Sequence, residues 1–541
     1  MPNGPIQTLS QTSASRLSRR ASRAHQSGEL AKAERLYNAV LGLDPGNFDA
    51  LHGLGQLHCQ RGRYDTALVL IQTALRNDGS RAEGFASLGL IFYFLRRYKE
   101  ALISFDEGLS LDPGNVDMLN RRGVALLELN RPREALENFE RVLAGDPQHF
   151  EALGNYGNAL IKLNRPQEAI AAYDRALAKA PENPQLLTNR AVALRRLDRP
   201  HEALMSASRA LVGNPGFAQA RFVESVARLT LGDFAAGWRG YESRWSVGLL
   251  ASQRRGFTVP QWLGPETPQQ SLDGKTILLH AEQGFGDTIQ FVRYAPLVAR
   301  CGAGKVLLEV QRELKPLLSG MAGVAGVIAH GDPLPAFDLH CPLLSLPLAF
   351  ATGLTTVPAD IPYLAHADEK VAAWRARLPR QRPLIGVAWS GDRGHDNDLN
   401  RSIALEALAP LFGVPGIGFV SLQHDVRERD EAALRRLPVF RLEPKFSDFA
   451  DTAAAVSLMD AVIAVDTAVA HLAGAMGKTL LLLLPFAADF RWLRERSDSP
   501  WYPSARLYRQ PAFGDWPGAI AALRQDLLRA NFVAAERKLS A

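Results

Sequence analysis

The chain has 541 residues, of which 47% are hydrophobic and 22% charged, and its formal net charge is +6. This length is more than one hydrophobic core supports, so two or three domains are expected. Basic residues are interleaved with acids and form no stripe with aromatics between them, which argues against a nucleic-acid-binding surface.

The cysteines and the apolar runs indicate a cytoplasmic protein without a transmembrane segment. Cys59, Cys301 and Cys341 lie far apart, with no metal-ligand or redox spacing, as expected in a reducing compartment. The longest apolar run, 480–484, is far too short to cross a bilayer and predicts a buried strand. Residues 1–27 contain no acid, as in organellar transit segments, but Leu17 already falls on a repeat position. We therefore expect a disordered leader over 1–13 only.

The first half of the chain carries a 34-residue repeat. Proline or glycine recurs at this spacing at Pro45, Gly79, Pro113, Pro147, Pro181 and Pro215. Within each unit the eighth position is small, at Gly55, Gly89, Gly123, Gly157 and Ala191. A small residue there lets two helices approach closely, and an internal repeat of this length predicts a stack of helical hairpins.

These positions resemble the tetratricopeptide repeat, with Leu and Gly early, Ala at the start of the second helix and a closing Pro. About seven units then form an all-α solenoid over 14–250, with atypical end units. The resemblance implies that the first helix of each pair lines a groove. The residues expected in this groove are Arg121, Asn155, Asn158 and Asn189.

Asparagines in such a groove can bind the backbone of an extended peptide without selecting its side chains, which predicts a protein or peptide partner. The alternative is that they are solvated polar residues on an exposed face. The repeats could also form a homo-oligomer.

The second half has no repeat and predicts strands that alternate with helices. Residues 251–274 are rich in proline and form a linker. The expected strands are 276–281, 305–310, 325–329 and 337–341, then 384–389, 418–423, 439–442, 461–465 and 480–484. This alternation predicts two α/β, Rossmann-like modules with parallel sheets, at 275–366 and 383–530, joined by a connecting segment at 367–382. A C-terminal tail at 531–541 completes the chain.

Two loops in this half carry candidate chemistry. The first follows the opening strand, where Gly284 and Gly286 allow close approach of a ligand to the backbone, and Asp287 begins a helix. Asp287 could equally be a helix-capping acid. In the second loop, Asp466 and Thr467 precede a helix whose first-turn amides would bind an anion, with His471 one turn along. The alternative is an ordinary capped helix with a core histidine.

Gly286-Asp287 and Asp466-Thr467-Ala468 with His471 together resemble the heptosyltransferase-type glycosyltransferases (glycosyltransferase family 9). The resemblance implies a GT-B fold, with a cleft between the two modules, and inverting transfer from a nucleotide-sugar without a metal or other cofactor. It implies that Asp287 is the general base. Arg401 is expected to contact the leaving phosphates, with Arg393 as its competitor. The expected donor-binding residues are Gly284, Gly286, Ser390, Gly391, Arg401, Gln423, Asp466, Thr467, Ala468 and His471.

Repeats combined with a GT-B domain are similar to the architecture of O-GlcNAc transferase and of bacterial flagellin glycosyltransferases. This implies a protein O-glycosyltransferase whose repeats recruit the acceptor. Two alternatives stay open. The acceptor could be a lipid-linked or surface glycan, or the chain could be a non-enzymatic interaction scaffold with a decayed transferase-like half.

Overall fold

A computed structural model describes residues 5–529 except 381, 382 and 444. The chain divides into two compact units, one ending at Asn189 and the other beginning at Arg190. Within the described residues, no helix is both long and apolar enough to cross a membrane. The expected succession of an all-helical first part and a later part with parallel sheets is confirmed.

Fourteen helices between Pro5 and Tyr241 form seven consecutive pairs. They are α1 (Pro5–Gln26), α2 (Leu30–Leu43), α3 (Phe48–Gln60), α4 (Tyr64–Asn77), α5 (Ala82–Phe94), α6 (Tyr98–Leu111), α7 (Val116–Glu128), α8 (Pro132–Gly145), α9 (Phe150–Lys162), α10 (Pro166–Lys179), α11 (Pro184–Arg196), α12 (Pro200–Gly213), α13 (Ala218–Thr230) and α14 (Phe234–Tyr241). Helix α1 begins at Pro5, so most of the leader expected at 1–13 is helical; residues 1–4 and the expected tail 531–541 lie outside the described residues.

The turn inside every pair contains one residue with positive φ, and these residues are spaced by 34. They are Gly28, Gly62, Arg96, Asn130, Asn164, Asp198 and Gly232, with φ between 52° and 84°. A left-handed residue ends a helix sharply, and glycine, asparagine and aspartate adopt that conformation at the least cost. Arg96 is the one residue of this set that is not glycine, asparagine or aspartate. The backbone thus carries a second marker of the repeat, independent of the prolines.

The small eighth position is explained by contacts in the unit that ends at Asn189. A Cβ atom added to Gly89 would lie 2.5 Å from the ring of Phe105, and one added to Gly123 would lie 2.5 Å from the ring of Phe139. The aromatic residue of each second helix therefore packs directly on the glycine of the first helix. The small residue of the first helix and the aromatic residue of the second helix thus form one contact, which holds the helices of a pair together.

Ten strands form two parallel sheets. The strands are β1 (Thr276–His280), β2 (Lys305–Val310), β3 (Gly326–Ala329), β4 (Leu339–Pro342), β5 (Leu384–Ala388), β6 (Gly418–Ser421), β7 (Val439–Arg441), β8 (Ala461–Val465), β9 (Leu480–Leu484) and β10 (Ala505–Arg509). The four-stranded sheet has the order β3-β2-β1-β4 and the six-stranded sheet the order β10-β9-β8-β5-β6-β7. Most of these strands are short apolar runs, as expected for parallel sheets covered on both faces.

Twelve further helices accompany the sheets. They are α15 (Gly248–Ser252), α16 (Phe285–Phe291), α17 (Ala295–Arg300), α18 (Lys315–Leu318), α19 (Leu346–Ala349), α20 (Asp368–Arg375), α21 (Asp398–Arg401), α22 (Ala409–Phe412), α23 (Glu428–Arg436), α24 (Phe449–Ser457), α25 (Ala468–Ala475) and α26 (Trp516–Leu528). Of these, α16 follows β1 and α25 follows β8, so each begins at the carboxyl end of a central strand.

The last helical pair packs into the same core as the sheets. Trp238 of α14 is 2% exposed, and its ring lies edge-on to Phe291 and Phe490, with centroids 6.2 and 5.7 Å away. Arg244, fully buried just after α14, donates to both carboxylate oxygens of Glu282 at 3.0 and 3.2 Å. The sequence prediction placed the end of the solenoid at 250, but these contacts make the last pair part of the α/β core.

One face of the four-stranded sheet carries buried polar side chains. The parallel register pairs His280 with Glu309 and Leu278 with His340, which places both histidines and Glu309 on the same face. His280 Nε2 lies 3.1 Å from His340 Nδ1, and Arg255 donates to Glu309 at 2.8 Å. Burial, followed by the neighbouring His340 and Arg255, lowers the pKa of His280 to about 3. The histidine pair is therefore neutral at physiological pH.

Candidate functional site

The two predicted loops lie against each other. A Cβ atom added to Gly286, in the first turn of α16, would lie 2.7 Å from His471 Cδ2 and 3.6 Å from the Cα of Ala468. The loop after β1 and the helix after β8 therefore meet, as the sequence prediction required. The absence of a side chain at Gly286 is needed for this close approach of two helices.

His471 is a positioned, nearly buried side chain. It is 5% exposed, its Nδ1 lies 3.0 Å from the hydroxyl of Tyr502, and its ring stacks on Trp492 with centroids 5.4 Å apart. Its Nε2 lies 3.7 Å from Asp466 Oδ1. The structure thus shows the packed core histidine that the sequence left open as an alternative, placed beside an aspartate at the carboxyl end of β8.

Asp466 remains ionised in this setting. Burial opposes its charge, but its interaction with His471 and the charges of Arg401 and Arg491 outweigh that effect and lower the pKa of Asp466 to about 2. Two arginines from different loops therefore act on this one carboxylate, which locates them at the same edge of the six-stranded sheet.

Thr467 is the N-cap residue of α25, but its side chain does not cap the helix. The buried Thr467 Oγ1 has no hydrogen-bond partner among the described residues. The first-turn amides of a helix also lack intrahelical partners and attract negative charge. A buried hydroxyl without a partner, next to a helix start at the end of a buried strand, is a group that an anion or an anionic ligand would satisfy.

A second group without a partner lies at the end of the neighbouring strand β5. Ser390 is 4% exposed, and its Oγ has no partner in the part of the chain that the structure describes. Its backbone is held by Gln423, whose Oε1 accepts from the amides of Trp389 and Ser390 and whose Nε2 donates to the Ser390 carbonyl. Gln423 was predicted to bind the donor. In the structure, both the oxygen and the nitrogen of its carboxamide bond to the backbone after β5.

Arg401 lies over Gly391. A Cβ atom at 391 would be 2.6 Å from Arg401 Nη2, so only glycine admits the guanidinium there. Arg401 Nη1 donates to the Asp466 carbonyl at 3.1 Å, and the buried Nε has no partner within the described chain. Its competitor Arg393 is 59% exposed and lies 3.5 Å from Asp425. Between the two arginines, the structure places Arg401 at the site and Arg393 on the surface.

A buried network that the sequence did not predict holds the loop after β5. Asp398 accepts two bonds of 2.8 Å from Arg427 and one from the hydroxyl of Ser402. Arg427 also donates to the Gly391 carbonyl at 3.1 Å, and Ser402 accepts from the Gly391 amide. The buried Asn397 Oδ1, an acceptor, also lacks a partner in the described residues. The network stabilises the backbone of the segment that contains Ser390 and Arg401.

Asp287, the predicted general base, is engaged on both oxygens. Its Oδ2 accepts from the Gly284 amide at 3.0 Å, as a helix-capping acid does, and its Oδ1 forms an ion pair with Arg491. Its side chain is 21% exposed. Gly284, also predicted to bind the donor, serves as the N-cap of α16 and bonds to Asp287. The capping role that the sequence left open for Asp287 is therefore present.

Arg491 is the functional candidate that sequence reasoning missed. It is 7% exposed and donates to Gln290 Oε1 at 2.8 Å and to Asp489 Oδ1 at 2.7 Å, besides its ion pair with Asp287. It lies in the segment after β9, and the carboxyl ends of parallel strands are where ligands bind in such sheets, which is the sequence signal that points to it.

The predicted groove residues lie on first helices of the unit that ends at Asn189. Asn155 of α9 donates to Asn120 of α7 at 3.0 Å, and Asn189 of α11 donates to Asn158 of α9 at 2.9 Å. Arg121 of α7 is exposed. The asparagines thus connect neighbouring first helices, and a carboxamide with two donors and two acceptor lone pairs retains capacity for a further bond.

The arrangement at the sheet edge is suited to binding an anion. Thr467 Oγ1, Ser390 Oγ and Arg401 Nε are buried polar groups without partners in the described structure. Ser390 and Thr467 follow the adjacent strands β5 and β8, and Arg401 of α21 reaches the end of β8 through its bond to the Asp466 carbonyl. Among the described residues, no group of three or more His, Cys, Asp or Glu is placed to hold a metal ion. The positive charge for an anion would come from Arg401, the start of α25 and the nearby Arg491.

Comparison with known proteins identifies the repeats. Family models described as tetratricopeptide repeat match residues 24–89, 82–115 and 120–184. Protein FlbA of Caulobacter vibrioides is 28% identical over 345 residues, which cover 58% of this chain and 56% of FlbA. The chain therefore spans about half the length of this relative. The covered share of this chain is larger than either half alone, so the match includes residues of both halves.

Three solved structures are similar to part of this chain. The TPR protein YrrB, described as having an unusual peptide-binding site, is 21% identical with a TM-score of 0.29, and the match covers 34% of this chain and 95% of YrrB. A tetratricopeptide repeat protein from Parabacteroides merdae is 17% identical with a TM-score of 0.38, covering 44% and 94%. Pseudomonas aeruginosa PilF is 19% identical with a TM-score of 0.36, covering 39% and 96%. The first part of this chain consists of tetratricopeptide repeats.

Proposed function

We propose that this protein is a glycosyltransferase of GT-B fold that transfers a sugar from a nucleotide-sugar to a hydroxyl of a protein acceptor held by the repeats. The observation that carries the proposal is the group of buried polar atoms without partners at the ends of β5 and β8. Ser390, Arg401 and Thr467 converge there, and a diphosphate has the charge and the oxygen acceptors to satisfy them.

The chemistry needs a proton acceptor opposite the leaving group, and Asp287 is the candidate. It lies in the first turn of α16, next to Gly286, which packs on His471 and Ala468 of the opposite module. In an inverting step the acceptor hydroxyl loses its proton to the base as its oxygen attacks the anomeric carbon, and the sugar–diphosphate bond breaks on the other side. Positive potential from Arg401 and the start of α25 stabilises the departing diphosphate.

The acceptor part of the proposal rests on the repeats. Helix-pair solenoids of this kind present extended surfaces that bind peptides. The connected asparagines on α7, α9 and α11 offer hydrogen bonds suited to a peptide backbone, which is common to all protein acceptors. The similarity to FlbA, which includes residues of both halves, is consistent with the repeats and the sheets acting as one protein.

Nucleotide binding to the full chain is the first test. UDP, GDP, ADP and CDP are titrated by calorimetry into wild-type protein and into Arg401→Gln and Arg393→Gln. We expect one nucleotide to bind, Arg401→Gln to weaken it at least tenfold, and Arg393→Gln, a matched exposed arginine, to leave it unchanged. A charged hydrogen bond of about 1.5–3 kcal/mol corresponds to this loss. Absence of binding by all four nucleotides, or equal effects of the two variants, would contradict a diphosphate site at Arg401.

Transfer is the second test. The full chain is incubated with sugar nucleotides of the base selected by calorimetry and with an extract of a FlbA-bearing bacterium, and the modified molecules are identified by mass spectrometry. Modified serine or threonine on proteins supports the proposal. Modification confined to lipid-extractable material would instead identify a lipid-linked glycan as the acceptor.

A scaffold without transferase activity is the second candidate, and one observation favours it. Both oxygens of Asp287 are already engaged, by Gly284 and Arg491, as in a purely structural capping acid. A scaffold predicts that no nucleotide binds, whereas partners captured through the repeats remain bound when Arg401 and Thr467 are replaced. The calorimetric panel therefore separates the two candidates directly.

A further inference from the structure

We propose that Arg491 is an exchange residue: it binds Asp287 while the anion site is empty and moves to the donor diphosphate when the site fills, which releases Asp287 to act as the base. This inference rests on the proposed function, because it assumes a diphosphate at Thr467 and Arg401. It adds Arg491 to the site residues expected from the sequence. It also adds an order of events, in which donor binding precedes proton transfer to Asp287.

The first support is the way Arg491 is held. Its Nε and Nη1 are anchored by Gln290 and Asp489 at 2.8 and 2.7 Å, and the guanidinium lies over the ring of Phe490, 4.5 Å from its centroid. Only Nη2 reaches Asp287. A small rotation about the anchored side of the guanidinium would redirect Nη2 while the other two bonds persist.

The second support is the position of Arg491 beside the anion site. Asp287 follows Gly286, which contacts the first turn of α25, and Trp492 stacks on His471 of the same helix. The charge of Arg491, with that of Arg401, acts on Asp466, the residue before Thr467. Arg491 thus contacts the proposed base, and its charge acts on the residue next to the proposed diphosphate site.

The third support is the chemistry of the exchange. A diphosphate carries more negative charge and more acceptor oxygens than a carboxylate, and guanidinium groups bind phosphates through paired hydrogen bonds. A bound diphosphate is therefore a stronger competitor for Nη2 than Asp287. Asp287 loses its strongest donor in the exchange, while its bond to the Gly284 amide keeps the carboxylate in place.

The consequence for the reaction is a fixed order. The acceptor proton goes to Asp287, the acceptor oxygen forms the new bond to the anomeric carbon, and the bond to the diphosphate breaks with its electron pair on the leaving oxygen. Arg491, now on the diphosphate, neutralises the charge that develops there. The base becomes available only when a donor is bound.

A double-mutant cycle on nucleotide binding tests this exchange. UDP, GDP, ADP and CDP are titrated into full-length wild type, Asp287→Asn, Arg491→Gln and the double variant, with thermal melts to confirm folding. Asp287→Asn removes the competitor for Arg491, so we expect binding to tighten about three- to tenfold. Arg491→Gln is expected to weaken nucleotide binding at least tenfold. The double variant is expected to bind nucleotide as weakly as Arg491→Gln alone, because Asp287 then has no arginine to compete for. Arg491→Lys, which keeps the charge, is expected to restore part of the affinity.

The results distinguish failure of the Arg491 exchange from failure of the proposed function. If Asp287→Asn tightens binding equally with and without Arg491, the effect is a simple loss of repulsion and the exchange is wrong, although the diphosphate site stands. The exchange is equally overturned if Arg491→Gln binds nucleotide like wild type. If no nucleotide binds to the wild type, the proposed function fails and the exchange falls with it.

Discussion

Gly286 of α16 packs against His471 of α25, with only 2.7 Å between a Cβ position at 286 and the imidazole Cδ2. His471 is itself held by a hydrogen bond to Tyr502 and by stacking on Trp492, so its ring is fixed in position. The spacing of the two halves of the candidate site therefore depends on the absence of a side chain at one position.

Replacement of Gly286 by alanine should accordingly destabilise the protein. Overpacking of a tight contact costs about 1–3 kcal/mol, and the displaced helices would also weaken nucleotide binding. Urea unfolding followed by tryptophan fluorescence measures the first effect. The control is Gly284→Ala in the same loop, where the added Cβ meets only Asp287 Oδ2 at 3.3 Å. Equal destabilisation by both variants would contradict the importance of the His471 contact.

Thr467→Val tests whether the Thr467 hydroxyl, which has no partner among the described residues, binds a ligand. The free energy of unfolding should stay within about 0.5 kcal/mol of wild type because no protein bond is lost, while nucleotide affinity falls about tenfold. The comparison is Thr288→Val, since Thr288 Oγ1 bonds to Gln311 at 2.9 Å and its loss should cost about 1–2 kcal/mol. A strongly destabilised Thr467→Val would mean that the hydroxyl supports the fold and not a ligand.

Arg96→Asn should stabilise the repeats. Arg96 has a φ of 58° in a turn where the equivalent residues Asn130 and Asn164 adopt the same conformation. Asparagine tolerates the left-handed region better than arginine, so we expect a gain of about 0.5–1 kcal/mol, seen as a higher urea midpoint. The reverse change, Asn130→Arg, should cost a similar amount. If neither variant shifts the midpoint, the turn conformation contributes nothing to stability.

His280 predicts an acid-sensitive stability. An unfolded histidine takes up its proton near the ordinary pKa of 6.5, whereas folded His280 does so only near 3, so the unfolded state binds more protons between these values. Stability is therefore lost as the pH falls below about 6.5, by about 2 kcal/mol from this group at about pH 5.

The variant His280→Gln keeps a polar group towards His340 but does not titrate. Its free energy of unfolding, measured at about pH 7.5 and about pH 5, should change less between the two conditions than that of wild type by about 2 kcal/mol. His201→Gln, an exposed histidine on α12, should keep the wild-type difference. An unchanged pH difference in His280→Gln would show that the acid sensitivity has another source.

The strands that the sequence predicted well are buried apolar runs, such as β8 and β9, whose bounds agree with the prediction. Strand β10 was not predicted because Arg506 and Arg509 interrupt its pattern, as happens at a sheet edge. The two loops follow strands of different sheets, and their proximity was expected from the cleft that the resemblance implies between the two modules.

Roles that depend on a distant partner could not be predicted. Arg491 and Asp287 are 204 residues apart in the sequence, and only the fold brings them into contact. Gln423 has the same side chain whether it binds a ligand or the backbone of Ser390, so its residue type could not decide between the two.

The packing of Trp238 and Arg244 into the α/β core has a consequence for how such a protein can vary over evolution. Within the unit that ends at Asn189, whole 34-residue repeats can be gained or lost, because each helical pair mainly contacts its neighbours. The last pair cannot be exchanged in this way, since its removal would expose the rings of Phe291 and Phe490 and leave Glu282 without its arginine. We therefore expect the number of early repeats to vary among related proteins, whereas the last pair should be inherited together with the sheets.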